Sequence, residues 1–137
     1  MILASIRPQL TAVNQDAVLL VVSNPVDVLT CMAQQLSGFP VGHVIGSGTV
    51  LDTARLKYLV GQKLGVDSRN VHAFIIGEHG DSELAVWSSA NISGVDLDDY
   101  CRITGIADPA DMLQNIYENV RDAAYSIIES KGATYYG

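Results

Sequence analysis

The sequence predicts an α/β chain in two parts: a parallel strand–helix–strand unit, then an α+β segment whose strands pair antiparallel. Three observations carry this. Residues 17–22 form an unbroken run of β-branched residues and leucine, the pattern of a strand buried on both faces of a parallel sheet. A stretch long enough for a helix separates that run from a second short strand at residues 42–46, which is the spacing of a crossover unit. Beyond Ser47, strand-like residues 71–76 and 84–92 flank a polar, glycine-rich stretch, which favours antiparallel pairing over another crossover.

Each element has its local reason. Ile2, Ile6, Leu10 and Val13 recur at helical spacing with no cap ahead of them, so the chain is expected to start inside a helix, with Pro8 straining it. After the first strand, Ser23-Asn24-Pro25-Val26-Asp27 reads as a helix start, with Asn or Ser as cap, Pro25 at the first helical position and an acid in the first turn. That helix should stop at Ser37-Gly38. Thr49 begins another helix, apolar at Leu51, Leu56, Leu59, Val60 and Leu64 and ended by Gly65. Asp108-Pro109-Ala110-Asp111 opens one long helix with Met112, Ile116, Val120, Ala124, Ile127 and Ile128 on its apolar side and Lys131-Gly132 closing it.

Composition removes several function classes. Fifteen acids against eight Lys and Arg give a net charge of −7, which disfavours a broad nucleic-acid or anionic-membrane surface. Cys31 and Cys101 stand far apart and outside any CxxC pattern, so neither a disulfide framework nor a structural metal is expected, and a reducing cytoplasm fits best. Residues 17–22 are too few to span a bilayer, and no basic-then-apolar leader follows Met1.

Chemistry-bearing residues fall in three segments. His79 sits in Gly77-Glu78-His79-Gly80-Asp81 at a strand end, where an imidazole with a near-neutral pKa can give and take protons; a hairpin loop with an ordinary surface histidine is the plain alternative. Asp52 and Arg55 in Leu51-Asp52-Thr53-Ala54-Arg55 share a helix face, so a carboxylate could orient a histidine while a guanidinium fork grips a substrate carboxylate. The alternative there is a capping box of Thr49 with Asp52 and a routine helical ion pair. Asn24 follows a buried parallel strand, where ligands of open α/β sheets bind, although its local pattern favours a helix cap.

Taken in order and spacing, Asn24-Pro25-Val26-Asp27, Leu51-Asp52-Thr53-Ala54-Arg55 and Gly77-Glu78-His79-Gly80-Asp81 resemble the lactate and malate dehydrogenase family. The resemblance runs through Ile45-Gly46-Ser47-Gly48-Thr49, Ala85-Val86-Trp87-Ser88 and Lys131-Gly132-Ala133-Thr134-Tyr135-Tyr136-Gly137, and it is nearest to bacterial, lactate-specific members. It implies the C-terminal part of a Rossmann-type parallel sheet domain over residues 1–46, followed by the start of an α+β substrate domain over residues 47–137. The implied activity is hydride exchange between NAD and a small 2-hydroxy acid, interconverting (S)-lactate and pyruvate in a cytoplasmic homo-oligomer, a tetramer or dimer.

The same resemblance assigns roles. His79 is the proton donor to the substrate carbonyl, and the base in reverse; Asp52 holds and charge-balances it. Arg55 binds the substrate carboxylate, Asn24 contacts substrate near the nicotinamide, and Thr134 lines the pocket beside the substrate methyl. Val22, Ser23, Asn24 and Ser47 match positions that touch the cofactor. Lys57 and His72 match a fructose 1,6-bisphosphate effector site, where Lys replaces a planar Arg and loses its bidentate geometry.

No G-x-G-x-x-G occurs, Gly46-Ser47-Gly48 being too short, and the family's mobile loop, which separates lactate from malate specificity, has no match. The chain is therefore expected to be incomplete, lacking the N-terminal cofactor-binding half and the C-terminal end. A malate or branched-chain 2-hydroxy-acid dehydrogenase and a non-catalytic assembly or effector-binding module stay as alternatives. A hydrolase using Ser82 lacks the G-x-S-x-G turn.

Overall fold

The computed structural model describes residues 13–14 and 16–133, so the helix expected at the very start falls, apart from Val13, outside the described residues. The chain divides into two units, Met1–Gly48 and Thr49–Gly137.

In the first unit, strand β1 (Leu19–Val21) leads into helix α1 (Val26–Ser37) and returns as strand β2 (Val44–Gly46), which pairs parallel to β1 with Val21 opposite Gly46. Val21, Val26, Ala33, Phe39 and Val44 form the core between helix and strands. Gly38, at φ 71°, ends the helix in the left-handed conformation that a side chain resists. Two expectations need correction. The first strand is covered on one face only: Val18, Leu20 and Val22 are each more than half exposed, because α1 packs on one side of β1 and nothing among the described residues covers the other. Neither Ser23 nor Asn24 caps α1, and Pro25 is not its first helical residue. Pro25 is itself the N-cap, with extended ψ and a carbonyl that accepts from Leu29 N–H, so Asn24 lies one residue outside the helix.

The second unit is built around helix α2 (Val50–Leu64). Strand β3 (Val71–His72) pairs antiparallel with β6 (Asn91–Ile92), which pairs with β7 (Val95–Asp96), while β4 (Ile75–Ile76) pairs antiparallel with β5 (Leu84–Ala85). The antiparallel arrangement is the expected one, delivered as two-residue strands rather than two long ones. Helices α3 (Leu97–Ile103), α4 (Ala110–Arg121) and α5 (Ala123–Lys131) follow. Leu56 and Val60 of α2 meet Val71, Ile75, Ile92, Leu97, Cys101, Leu113, Ile116 and Val120 in one apolar core.

The single long helix expected from Asp108 onward is two. Asp122, at φ −88° and ψ 1°, leaves helical geometry, and its carboxylate turns back to Arg121 Nε at 2.8 Å. Leu113, rather than Met112, joins Ile116 and Val120 on the buried stripe of α4, whereas α5 buries no residue fully.

One close approach in this unit is testable. A Cβ on Gly61 would come within 2.8 Å of the Val66 carbonyl oxygen and 3.2 Å of the Ser68 backbone, atoms that cannot swing aside. Gly61→Ala is therefore expected to destabilise folding by roughly 1–3 kcal/mol despite alanine's better helix propensity. Urea unfolding would read it, and an unchanged or raised midpoint would contradict the packing argument.

Candidate active site

The site grows from the first turn of α2. Thr49 is its N-cap residue, yet its hydroxyl makes no cap bond and instead donates to the Ile75 carbonyl at 2.6 Å. Thr53 Oγ1 accepts from Ile75 N–H at 3.0 Å. The capping-box alternative is thereby corrected: Thr49 spends its hydroxyl on β4, and the Asp52 carboxylate points elsewhere. These bonds fasten α2 to the strand that leads into the His79 loop.

Asp52 is 2% exposed. Its Oδ2 lies 2.6 Å from His79 Nδ1, and its Oδ1 lies 3.5 Å from an Arg55 terminal nitrogen. A carboxylate accepts, so Nδ1 carries the hydrogen and Nε2 is the nitrogen through which the ring exchanges its other proton. The side chains of His79 and Arg55 are 24% and 21% exposed, reachable by a small ligand while anchored on a dry carboxylate. The helical ion pair read from the sequence is thus real, and it shares its acid with the histidine.

The loop is shaped to present that ring. Gly77 at φ 94° and Gly80 at φ 149° bracket it in backbone conformations that disfavour side chains. Ser82 Oγ donates to Glu78 Oε2 at 2.7 Å, and Tyr125 of α5 donates to Asp81 Oδ1 at 2.9 Å.

Glu83, which the sequence reading passed over, joins the pair. It is 4% exposed, its Oε1 finds no hydrogen-bond partner among the described residues, and Tyr117 of α4 donates to its backbone carbonyl. Asp52, His79 and Glu83 each bring one donor atom within 4.8 Å of the others. Arg55 and a protonable imidazole already supply positive charge there, so we assign no metal. Burial, and then the neighbouring Asp52 charge, push the Glu83 carboxyl up to about 7, against the pull of His79, Arg121 and Arg55. The folded chain therefore binds this proton more tightly than the unfolded one. The contribution to stability is whole below the ordinary carboxyl range and is lost as pH rises through about 7.

The remaining candidates lie apart in sequence. Val22, Ser23 and Asn24 are exposed just past the carboxyl end of β1, and half-buried Ser47 follows β2, its N–H donating to the Val21 carbonyl at 2.8 Å. Parallel pairing brings these residues to the same end of the two-stranded sheet. Lys57 is half-buried on α2 and His72 is exposed on β3. Thr134 falls outside the described residues.

A buried carboxylate clasping a histidine, with an arginine on its other oxygen, is an arrangement that can orient an imidazole for proton exchange and leave a guanidinium within reach of an anion. Residues 49–137 match the lactate/malate dehydrogenase alpha/beta C-terminal domain, and residues 1–46 match the NAD binding domain of the same enzymes. The chain belongs to the lactate/malate dehydrogenase family. Within it, the chain is 53% identical over 136 residues to an L-lactate dehydrogenase of Thermoanaerobacter sp. (strain X514), covering 99% of this chain and 44% of that protein. It is 58% identical over 123 residues to the L-lactate dehydrogenase of Acetivibrio thermocellus, covering 90% of this chain and 39% of the other. The structure of a lactate dehydrogenase from a Medee basin deep-sea metagenome superposes with a TM-score of 0.92 at 47% identity, over 98% of this chain and 43% of that one. The chain thus spans under half the length of these relatives. Among the described residues no helix is long and apolar enough to cross a membrane.

Proposed function

We propose that this chain carries the proton-transfer part of an NAD-dependent L-lactate dehydrogenase that interconverts (S)-lactate and pyruvate. The observation that supports this most is the Asp52–His79 contact at 2.6 Å on a carboxylate shared with Arg55. In the direction of reduction, the reduced cofactor, NADH, would supply the hydride when bound. His79 delivers the Nε2 proton to the carbonyl oxygen, and the Asp52 charge stabilises the imidazolium before transfer and keeps the hydrogen on Nδ1 of the neutral ring afterwards. Arg55 binds the substrate carboxylate through its guanidinium, which orients the keto carbon. In the reverse direction His79 takes the hydroxyl proton.

Val22, Ser23, Asn24 and Ser47 suit cofactor contacts, because they lie past the carboxyl ends of two parallel strands, where open sheets bind ligands. Asn24 would also touch substrate, and Thr134 would line the pocket by its methyl group. On this reading residues 1–46 belong to the cofactor domain and residues 47–137 to the substrate domain of a cytoplasmic homotetramer or homodimer. Lys57 and His72 would attract the phosphates of fructose 1,6-bisphosphate, as exposure of His72 on β3 permits.

One assay series tests the proposal: NAD-dependent oxidation of (S)-lactate, malate and a branched-chain 2-hydroxy acid, with and without fructose 1,6-bisphosphate. A full-length enzyme carrying this segment is expected to oxidise lactate fastest. The 137-residue chain is expected to be inactive or nearly so, since holding hydride donor and carbonyl together can account for about 7–11 kcal/mol of barrier. A preference for malate would overturn the substrate assignment. Turnover by the 137-residue chain near that of the full-length enzyme would overturn the need for further residues. No effect of the bisphosphate would remove the effector.

A further inference from the structure

Glu83 has no part in the chemistry above, yet it is nine-tenths buried, lies beside the two groups that handle the proton, and leaves Oε1 without a partner among the described residues. A buried carboxylate oxygen with no donor is costly as an anion, and the group relieves that cost by holding a proton. Among the described residues its charged neighbours come from three parts of the second unit. Asp52 and Arg55 lie on α2, His79 on the loop, and Arg121 on α4, where Tyr117 also ties down the Glu83 backbone.

We propose that Glu83 is a positioning residue for the Asp52–His79 pair, a second proton carrier whose occupancy opposes that of His79 and keeps the charge of the three-residue cluster constant. With His79 cationic and Glu83 ionised, the three side chains sum to one negative charge. With His79 neutral and Glu83 protonated, the sum is the same. When His79 gives up its proton, the cation that favoured ionised Glu83 disappears, and Glu83 takes one proton from solvent water. Burial keeps Glu83 poised at about 7, where both of its states are populated near neutrality. For its consequence in turnover the inference rests on the dehydrogenase reading; its test reads the proton on Glu83 instead.

The experiment is a carbon-13 NMR titration of the glutamate side-chain carboxyls in the 137-residue chain, with Glu83 assigned by the signal lost in Glu83→Gln. Its midpoint is expected near 7. It should move up by about one pH unit in His79→Gln, which removes the cation, and down by a similar amount in Asp52→Asn, which removes the anion. A midpoint near the ordinary 4.5, or one unmoved by His79→Gln, would overturn the proposal. His79→Gln changes a partly exposed loop residue, so it gives a reading even where Asp52→Asn fails to fold. The two readings fail separately. A coupled Glu83 in a protein with no lactate oxidation sinks only the function, and an active full-length enzyme with Glu83 at 4.5 sinks only the carrier.

Discussion

In a full-length enzyme carrying this segment, His79→Gln is expected to lower kcat for pyruvate reduction by on the order of 10²–10⁴-fold, about 3–5 kcal/mol of barrier. Glutamine can still face Asp52 and fill much of the ring's volume, but it has no exchangeable proton of suitable acidity. The carbonyl oxygen would then develop charge with no donor positioned to quench it. KM for pyruvate should change far less, because on the proposed reading the substrate carboxylate would be held by Arg55, whose contact with Asp52 at 3.5 Å does not pass through the imidazole. Steady-state kinetics of the two enzymes decide it. A kcat within a factor of about three of the parent would mean that the proton comes from elsewhere.

The largest expected effect on folding is at Leu56, which is fully buried one helical turn after Asp52 and packs in the core that joins α2, the short strands and α4. Leu56→Ala is expected to destabilise the chain by about 2–5 kcal/mol, the range for a leucine cavity whose walls collapse only in part. The cost should reach the site, since Leu56 and Asp52 share the buried side of α2. Urea unfolding followed by circular dichroism would measure it. A loss below about 1 kcal/mol would show that the neighbouring side chains close over the gap.

Much of the fold was legible because it rests on signals local to a few residues. The β-branched run gave β1, and Gly38 and Gly65 marked the ends of α1 and α2, each in the left-handed conformation. What was not legible depended on which side of an element faces inward. Burial alternates from Val71 to Ile76, with Val71, Ala73 and Ile75 inside and His72, Phe74 and Ile76 outside, so large apolar residues point away from the core. Glu83 is the same inversion with an acid: it shares the buried phase with Ala85 while Leu84 faces out. Hydropathy alone would bury Leu84 and expose Glu83. Helix α3 did have a readable start, since Asp96 accepts from the N–H groups of Asp98 and Asp99. At the site, local sequence favoured a cap for Thr49 and a plain loop for His79. Only the joint order of three motifs pointed to the Asp52–His79–Arg55 cluster, because long-range contacts leave no periodic trace in a single chain.

The hydroxyls of Thr49 and Thr53 hold the backbone of Ile75 against the first turn of α2, and His79 follows only four residues later. A tether that short spans at most roughly 14 Å when fully extended. An imidazole that swings away from Asp52 therefore stays at high effective concentration around it, whatever the protein concentration. Closure of so short a loop takes on the order of 100 ns, whereas a millimolar ligand arriving at the diffusion limit needs about 1–10 μs. The pair can open and reset many times between ligand encounters, so what an arriving molecule meets is set by the equilibrium of the contact and not by its rate.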